Sequence, residues 1–165
     1  MECDVCGSRN VARREIEGAL VEECNLCGNL QGDDKAVAHI NELRAGRDRG
    51  LDDEVIPLVT ALEGTGVFHI VQASIRPPEI LFGLNHNDTK YIERLLRSIE
   101  LANRETKLRW LIELSLQHEI VYDLRPRFWR PPADITEDDI ALARADLTIL
   151  GRRLRRDLSL SWWRD

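Results

Sequence analysis

From Leu108 onward the apolar residues Leu108, Trp110, Ile112, Leu114 and Leu116 recur at every second position. A period of two is that of a strand with one buried face. Gln117 and His118 supply a turn, and Glu119 to Leu124 return as a second strand. Pro126 and the Pro131-Pro132 pair are expected to end the sheet, because proline cannot donate to a ladder. The same figure stands upstream: a strand from Val67 to Ile75, a turn at Arg76-Pro77-Pro78, and a returning strand from Glu79 to Leu84. A helix precedes each hairpin. Asp52-Asp53-Glu54 are read as the cap of one, running to about Glu63 and ended by Gly64-Thr65-Gly66. Asn87 or Asp88 is read as the cap of the next, running to about Asn103 with Ile92, Leu95, Leu96 and Ile99 on one face. Thr136 and Asp139 have the spacing of a capping box and open a final helix. That helix is expected to bury Ile140, Ala143, Leu147, Leu150 and Leu154. It begins acidic and ends in Arg152, Arg153, Arg155 and Arg156, as the helix dipole favours.

Two helix–hairpin units and a closing helix predict an α+β domain over residues 51–165. The expected form has two layers, a four-stranded antiparallel sheet with helices on one face. Ahead of it, Asp33 or Asp34 is read as capping a short helix to Arg44, with Val37, Ile40 and Leu43 or Arg44 at helical spacing. Arg44-Ala45-Gly46-Arg47-Asp48-Arg49-Gly50 reads as a charged linker. Residues 33–50 therefore join the domain to a separate module over residues 1–32.

That module holds all 4 cysteines of the chain, as Cys3-x-x-Cys6-Gly7 and Cys24-x-x-Cys27-Gly28 with 17 residues between the pairs. Two intervening residues let one tight turn offer two thiolates to one ion, and the following glycine accepts the left-handed backbone that closes it. Two such turns complete a tetrahedral four-sulfur shell, which suits zinc over magnesium or calcium. A redox dithiol needs one C-x-x-C in a βαβ unit, and disulfides suit an oxidising compartment; zinc is the better reading of two matched knuckles. A shell of four thiolates leaves no open position, so the ion is expected to be structural. Between the knuckles, Val11 to Glu23 fits two short strands turning at Gly18.

The stretch from Cys3 to Asp33 resembles the zinc ribbons of general transcription factors of the TFB kind and related ribbon proteins. The likeness lies in the knuckles and in Glu23-Cys24-Asn25-Leu26-Cys27-Gly28-Asn29-Leu30-Gln31-Gly32-Asp33. It covers about a fifth of the chain and implies metal binding by Cys3, Cys6, Cys24 and Cys27. The helix–hairpin pattern after it is distantly similar to the tRNA wybutosine-synthesising methyltransferase family. That family's Ser-Cys motif would fall at Ala73-Ser74, and the cysteine is missing, so the resemblance implies no shared catalysis.

Charge alters the expectation about partners. The net charge is −6 over 165 residues, with 43% hydrophobic and 32% charged residues, an ordinary globular balance. Residues 1–64 carry 7 basic and 14 acidic side chains, whereas residues 124–165 carry 9 and 7. Phosphate contacts supply most nucleic-acid affinity, and Glu15, Glu17, Glu22 and Glu23 crowd the ribbon hairpin. A protein partner is therefore expected, with nucleic acid as the alternative. The candidate contact residues are Arg152, Arg153, Arg155, Arg156, Trp162, Trp163 and Arg164, since arginine and tryptophan anchor both kinds of interface. Arg125-Pro126-Arg127-Phe128-Trp129-Arg130 is a second arginine–aromatic run, whose tryptophan is read as packed on the chain's own surface. No run reaches the ~18 apolar residues that span a bilayer, and no signal segment opens the chain, so a cytoplasmic protein is expected.

His39, His69, His86 and His118 stand at no metal-binding spacing and are read as surface residues. Glu113, Glu119 and Asp123 fall on the outward phase of their strands and are read as solvated. The sequence contains no nucleophile elbow, P-loop or dinucleotide fingerprint. The expected reading is a zinc-binding interaction protein rather than an enzyme. A cleft pairing His69, His86 or His118 with a carboxylate would favour the enzyme alternative.

Overall fold

A computed structural model describes residues 1–85, 89–116, 120–128 and 132–159. The chain forms two compact units, Met1–Arg49 and Gly50–Asp165.

In the first unit, β1 (Val11–Ile16) and β2 (Ala19–Cys24) form an antiparallel hairpin turning at Glu17-Gly18. A short β3 (Leu30–Gln31), not expected from the sequence, pairs with the other edge of β2. The helix α1 (Asp34–Asp48) is capped by Asp33, whose carboxylate accepts from the Ala36 amide at 3.0 Å. It lays Ile40 against Val21 and Leu30, with Ile16, Ala19, Ala36 and Val37 around them. α1 does not stop at Arg44. It continues to Asp48 because the stretch read as a linker packs on its own unit: Gly46 is buried, Arg44 pairs with Glu23 at 2.9 Å and Arg47 with Glu17 at 2.7 Å.

The second unit runs α2 (Ile56–Glu63), β4 (Phe68–Ile75), β5 (Pro78–Leu84), α3 (Lys90–Ala102), β6 (Arg109–Leu116), β7 (Ile120–Arg127) and α4 (Glu137–Leu158), with a 3-10 turn at Pro132–Asp134. The sheet is antiparallel in the order β4-β5-β7-β6. Alternate strand positions Ile80, Phe82, Trp110 and Leu124 meet Leu58, Leu62, Leu95, Ile99, Leu147 and Leu150 in one core, so the helices lie on one face. Thr136 and Asp139 form the expected capping box.

Several details depart from the sequence reading. The Asp52-Asp53-Glu54 triplet does not cap α2. Val55 is the N-cap and has no side-chain bond, while the Val55 and Ile56 amides both donate to the Asp52 carbonyl. Burial of Val55 and Ile56 and the fixed φ of Pro57 set that start. Leu96 is 38% exposed rather than on the buried face of α3. β7 passes through Pro126 to Arg127, because the β5·β7 ladder has already ended at Ile80↔Leu124 and Pro126 need donate nothing there. Leu114 keeps the alternation of β6 yet is 58% exposed, so the helical layer does not cover that end of the strand. Asn87 and Asp88, expected to cap α3, lie outside the described residues, and the N-cap is instead Thr89, with no side-chain bond; the turn at Gln117-His118 also lies outside them.

Candidate metal centre

Each knuckle is built the same way. Cys3 carbonyl accepts from the Gly7 amide and Cys24 carbonyl from the Gly28 amide, both at 2.8 Å. Gly7 and Gly28 sit at φ 69° and 73°, the left-handed region where a side chain is costly. The first cysteine of each knuckle, Cys3 and Cys24, is buried, and the second, Cys6 and Cys27, is exposed. Cys24 ends β2, so the hairpin presents the second knuckle to the first.

The four sulfurs lie within 4.8 Å of one another, with Cys3 to Cys27 and Cys6 to Cys24 at 3.6 Å. These are free thiols, as a disulfide would bring two sulfurs to ~2.05 Å. A tetrahedron with arms of ~2.3 Å has edges near ~3.8 Å, so the cluster has the size of a four-sulfur metal shell.

The thiol acidities follow the same symmetry. The Cys6 and Val5 amides, aided by neighbouring thiols, bring Cys3 down to about 6 against the effect of burial. Cys24 is lowered chiefly by the Cys27 amide, with Leu26 adding to it. For Cys6, the Ser8 amide pulls downward, but desolvation and the Cys27, Cys24 and Cys3 thiols push it up to about 12. Cys27 is raised despite the Asn29 amide, by burial and by Cys3 and Cys24. The first thiol of each knuckle is thus lowered and the second raised, the four sharing hydrogen bonds with one another. A divalent cation bound there would displace the thiol protons, as thiolate ligation requires. The donor set is all sulfur, which fits a soft or borderline ion, and four protein ligands close the shell.

The other candidates are dispersed. His69 packs its ring over Gly83 and shares a hydrogen bond with Asn85 at 2.9 Å. His86 and His118 lie outside the described residues, as do Trp129, Arg130, Trp162, Trp163 and Arg164. At the end of α4, Arg153 joins Glu105 at 3.0 Å and Asp157 at 3.1 Å, and Arg156 also meets Asp157 at 3.4 Å. Arg152 and Arg155 point outward from the same turns.

On the open face of the sheet the charges are less solvated than expected. Asp123 is 7% exposed, and its Oδ1 finds no hydrogen-bond partner among the described residues. Burial raises its pKa above the ordinary carboxylate range; Arg125 opposes this, and Glu79 and Glu113 add to it. Glu113 is paired with Arg125 instead of standing alone. Beside them runs a groove of about 600 Å³ lined by Glu79, Glu113, Arg125, Arg127 and Phe128 among others. It holds carboxylates but no histidine among its described lining.

Comparison of the chain with protein-family models, with curated proteins and with solved structures finds no match. Among the described residues, no helix is long and apolar enough to cross a membrane.

Proposed function

We propose that Cys3, Cys6, Cys24 and Cys27 hold one structural zinc ion, as in transcription-factor-type zinc ribbons, and that the chain binds another protein without catalysing a reaction. The observation that carries this reading is at the knuckle tips. Val5 and Leu26 occupy equivalent positions between the paired cysteines and are 71% and 72% exposed. Exposed aliphatic side chains at both tips serve no core, and apolar surface rimmed by polar residues is what a protein partner covers. Glu2, Asp4, Arg9 and Asn25 supply that rim in sequence. Nucleic acid is the weaker reading. Arg153 and Arg156 already share Asp157, and on the ribbon side Arg14 and Arg44 are taken by Glu23 and Arg47 by Glu17.

The test uses the untagged protein purified from its own cells. It should carry about one zinc per chain, as one four-thiolate shell requires, and a co-purifying protein. Replacing Val5 and Leu26 together by Asp should leave the zinc in place and release that protein. Co-purification of nucleic acid instead, lost on raising salt, would overturn the choice of partner.

A further inference from the structure

We infer that two copies of this chain pair through β6, antiparallel about a two-fold axis at Leu114, joining their sheets edge to edge. β6 is an outer strand of its sheet. Its backbone groups can be assigned a direction from their neighbours. Trp110 lies opposite Pro126, which has no N–H to offer. The Asn103 side chain meanwhile takes both backbone groups of Trp110: the Trp110 amide donates to Asn103 Oδ1 at 2.8 Å and Asn103 Nδ2 donates to the Trp110 carbonyl at 2.9 Å. Trp110 thus points its amide and carbonyl away from β7, and the alternation of an antiparallel ladder makes Ile112, Leu114 and Leu116 do the same. Asn103 acts as a stand-in strand for the first rung only. Among the described residues the rungs at Ile112 and Leu114 have no such cap.

A bare edge is ordinarily blunted by a bulge, a charge or a proline. β4, the opposite edge, has a bulge between Ile70 and Gln72. β1 of the ribbon carries Arg13, Arg14 and Glu15 exposed along its middle. β6 has neither device on its helix-side face past Trp110, which carries Ile112 and Leu114. Leu114 is 58% exposed, and Ile120 on the neighbouring strand is 64% exposed.

Charge selects both the occupant and the register. A second β6 running antiparallel offers the same free rungs and the same uncharged face. Centring the axis on Ile112 wastes rungs on Trp110, which Asn103 already occupies. Centring it on Glu113 sets two carboxylates directly opposite, which is unfavourable. Centring it on Leu114 uses Ile112, Leu114 and Leu116 and sets Glu113 against the partner's Ser115. The two-fold then closes the edge on itself, leaving no open-ended array.

Sedimentation of the zinc-loaded full chain should show a mass rising from 19.0 kDa toward twice that value as concentration passes through the ~µM range that interfaces of modest area reach. Leu114→Lys places like charges across the axis at an already exposed position and should weaken the dimer at least tenfold. Val71→Lys on the bulged β4 edge should leave it intact. In separate variants, Leu114→Cys should cross-link to itself under mild oxidation, because directly paired Cα atoms stand ~5.5 Å apart, within disulfide reach. Glu113→Cys should not, because in this register it meets its own copy only diagonally at ~7–8 Å. A monomeric wild type, a dimer indifferent to Leu114→Lys, or cross-linking through position 113 in place of 114 each overturns the pairing.

Discussion

Asp146→Ala is the substitution whose cost the structure specifies best. Asp146 lies in the middle of α4 and is fully buried. Its carboxylate ties that helix to the segment entering β6. Oδ1 accepts from the Lys107 amide at 2.8 Å, and Oδ2 accepts from the Leu108 amide at 2.7 Å and from Trp110 Nε1 at 3.3 Å. Truncation removes all three acceptor contacts. Lys107 is exposed, so its amide can turn to water, but Leu108 and Trp110 are 8% and 1% exposed and cannot. Each stranded donor costs about 1–3 kcal/mol. A small cavity beside Trp110 adds to this, while relief from burying a carboxylate offsets part of it. The expected loss is about 3–5 kcal/mol, a large share of the ~5–15 kcal/mol that holds a domain folded. Urea unfolding followed by far-UV circular dichroism would measure it, with Arg152→Ala as the comparison, expected within ~0.5 kcal/mol. A loss below ~1 kcal/mol for Asp146→Ala, smaller than one stranded donor, would refute the strut.

Three further outcomes follow from the geometry. Cys24→Ser should abolish zinc binding and unfold the first unit while the helical signal of the second persists; collapse of the whole chain would mean that the units do not fold independently. Asp123→Asn should raise the urea midpoint at neutral pH. Burial raises Asp123 in the folded state, so its ionisation penalises folding once pH climbs from the unfolded carboxylate range through the folded value. The gain should therefore fade below pH ~4, near the unfolded aspartate value, and a gain that grew on acidification would contradict the assignment. Gly151→Ala would put a methyl 2.9 Å from Pro57 Cβ and 3.1 Å from the Leu58 amide. It should cost about 1–3 kcal/mol as an overpacked helix contact, and a neutral result would show that α2 and α4 yield more readily than their spacing implies.

The cysteine cluster was legible in the sequence because its spacing is local: each C-x-x-C-Gly fixes two sulfurs within one turn, and only the facing of the knuckles needs the fold. The sheet was legible for a similar reason, since period two in Leu108 to Leu116 names the buried side of β6 without reference to anything else. What alternation cannot say is how far the helical layer extends, and Leu114 is exposed for that reason. Nor does a hairpin announce which of its strands will meet the next hairpin, so the order β4-β5-β7-β6 came only from the structure. Polar residues misled in both directions. Asp52-Asp53-Glu54 looked like a cap, but burial of Val55 and Ile56 governs where α2 begins. Asp123 was read as a solvated charge, yet it lies buried under its neighbours on the open face; Asp146, which the sequence reading did not single out, is fully buried against backbone amides. Asp146 did leave one sign: it follows Ala143 by three residues and precedes Leu147, inside the apolar stripe of α4. Gly46 was read as part of a charged linker and is instead buried within α1.

The two proposed interaction surfaces rest on different physical footings, and this separates them experimentally. The buried aliphatic core of the first unit is Val21, Leu30 and Ile40, with Leu43 also buried on α1. Burying such side chains gives about 1.5–3 kcal/mol each, whereas a structural zinc site in a peptide of this kind contributes about 10–16 kcal/mol. Under the zinc proposal, metal binding, more than packing, sets where Val5 stands relative to Leu26. The second unit owes its shape to a core that runs from Val55 to Leu158 and includes no cysteine. Chelation should accordingly scatter the knuckle tips and abolish any partner held there, while β6, with Leu114 at its axis, keeps its conformation. If chelator-treated protein lost the partner and still sedimented as a dimer, the two surfaces would be independent. If dimer and partner were lost together, self-association would have to be moved from β6 to the ribbon.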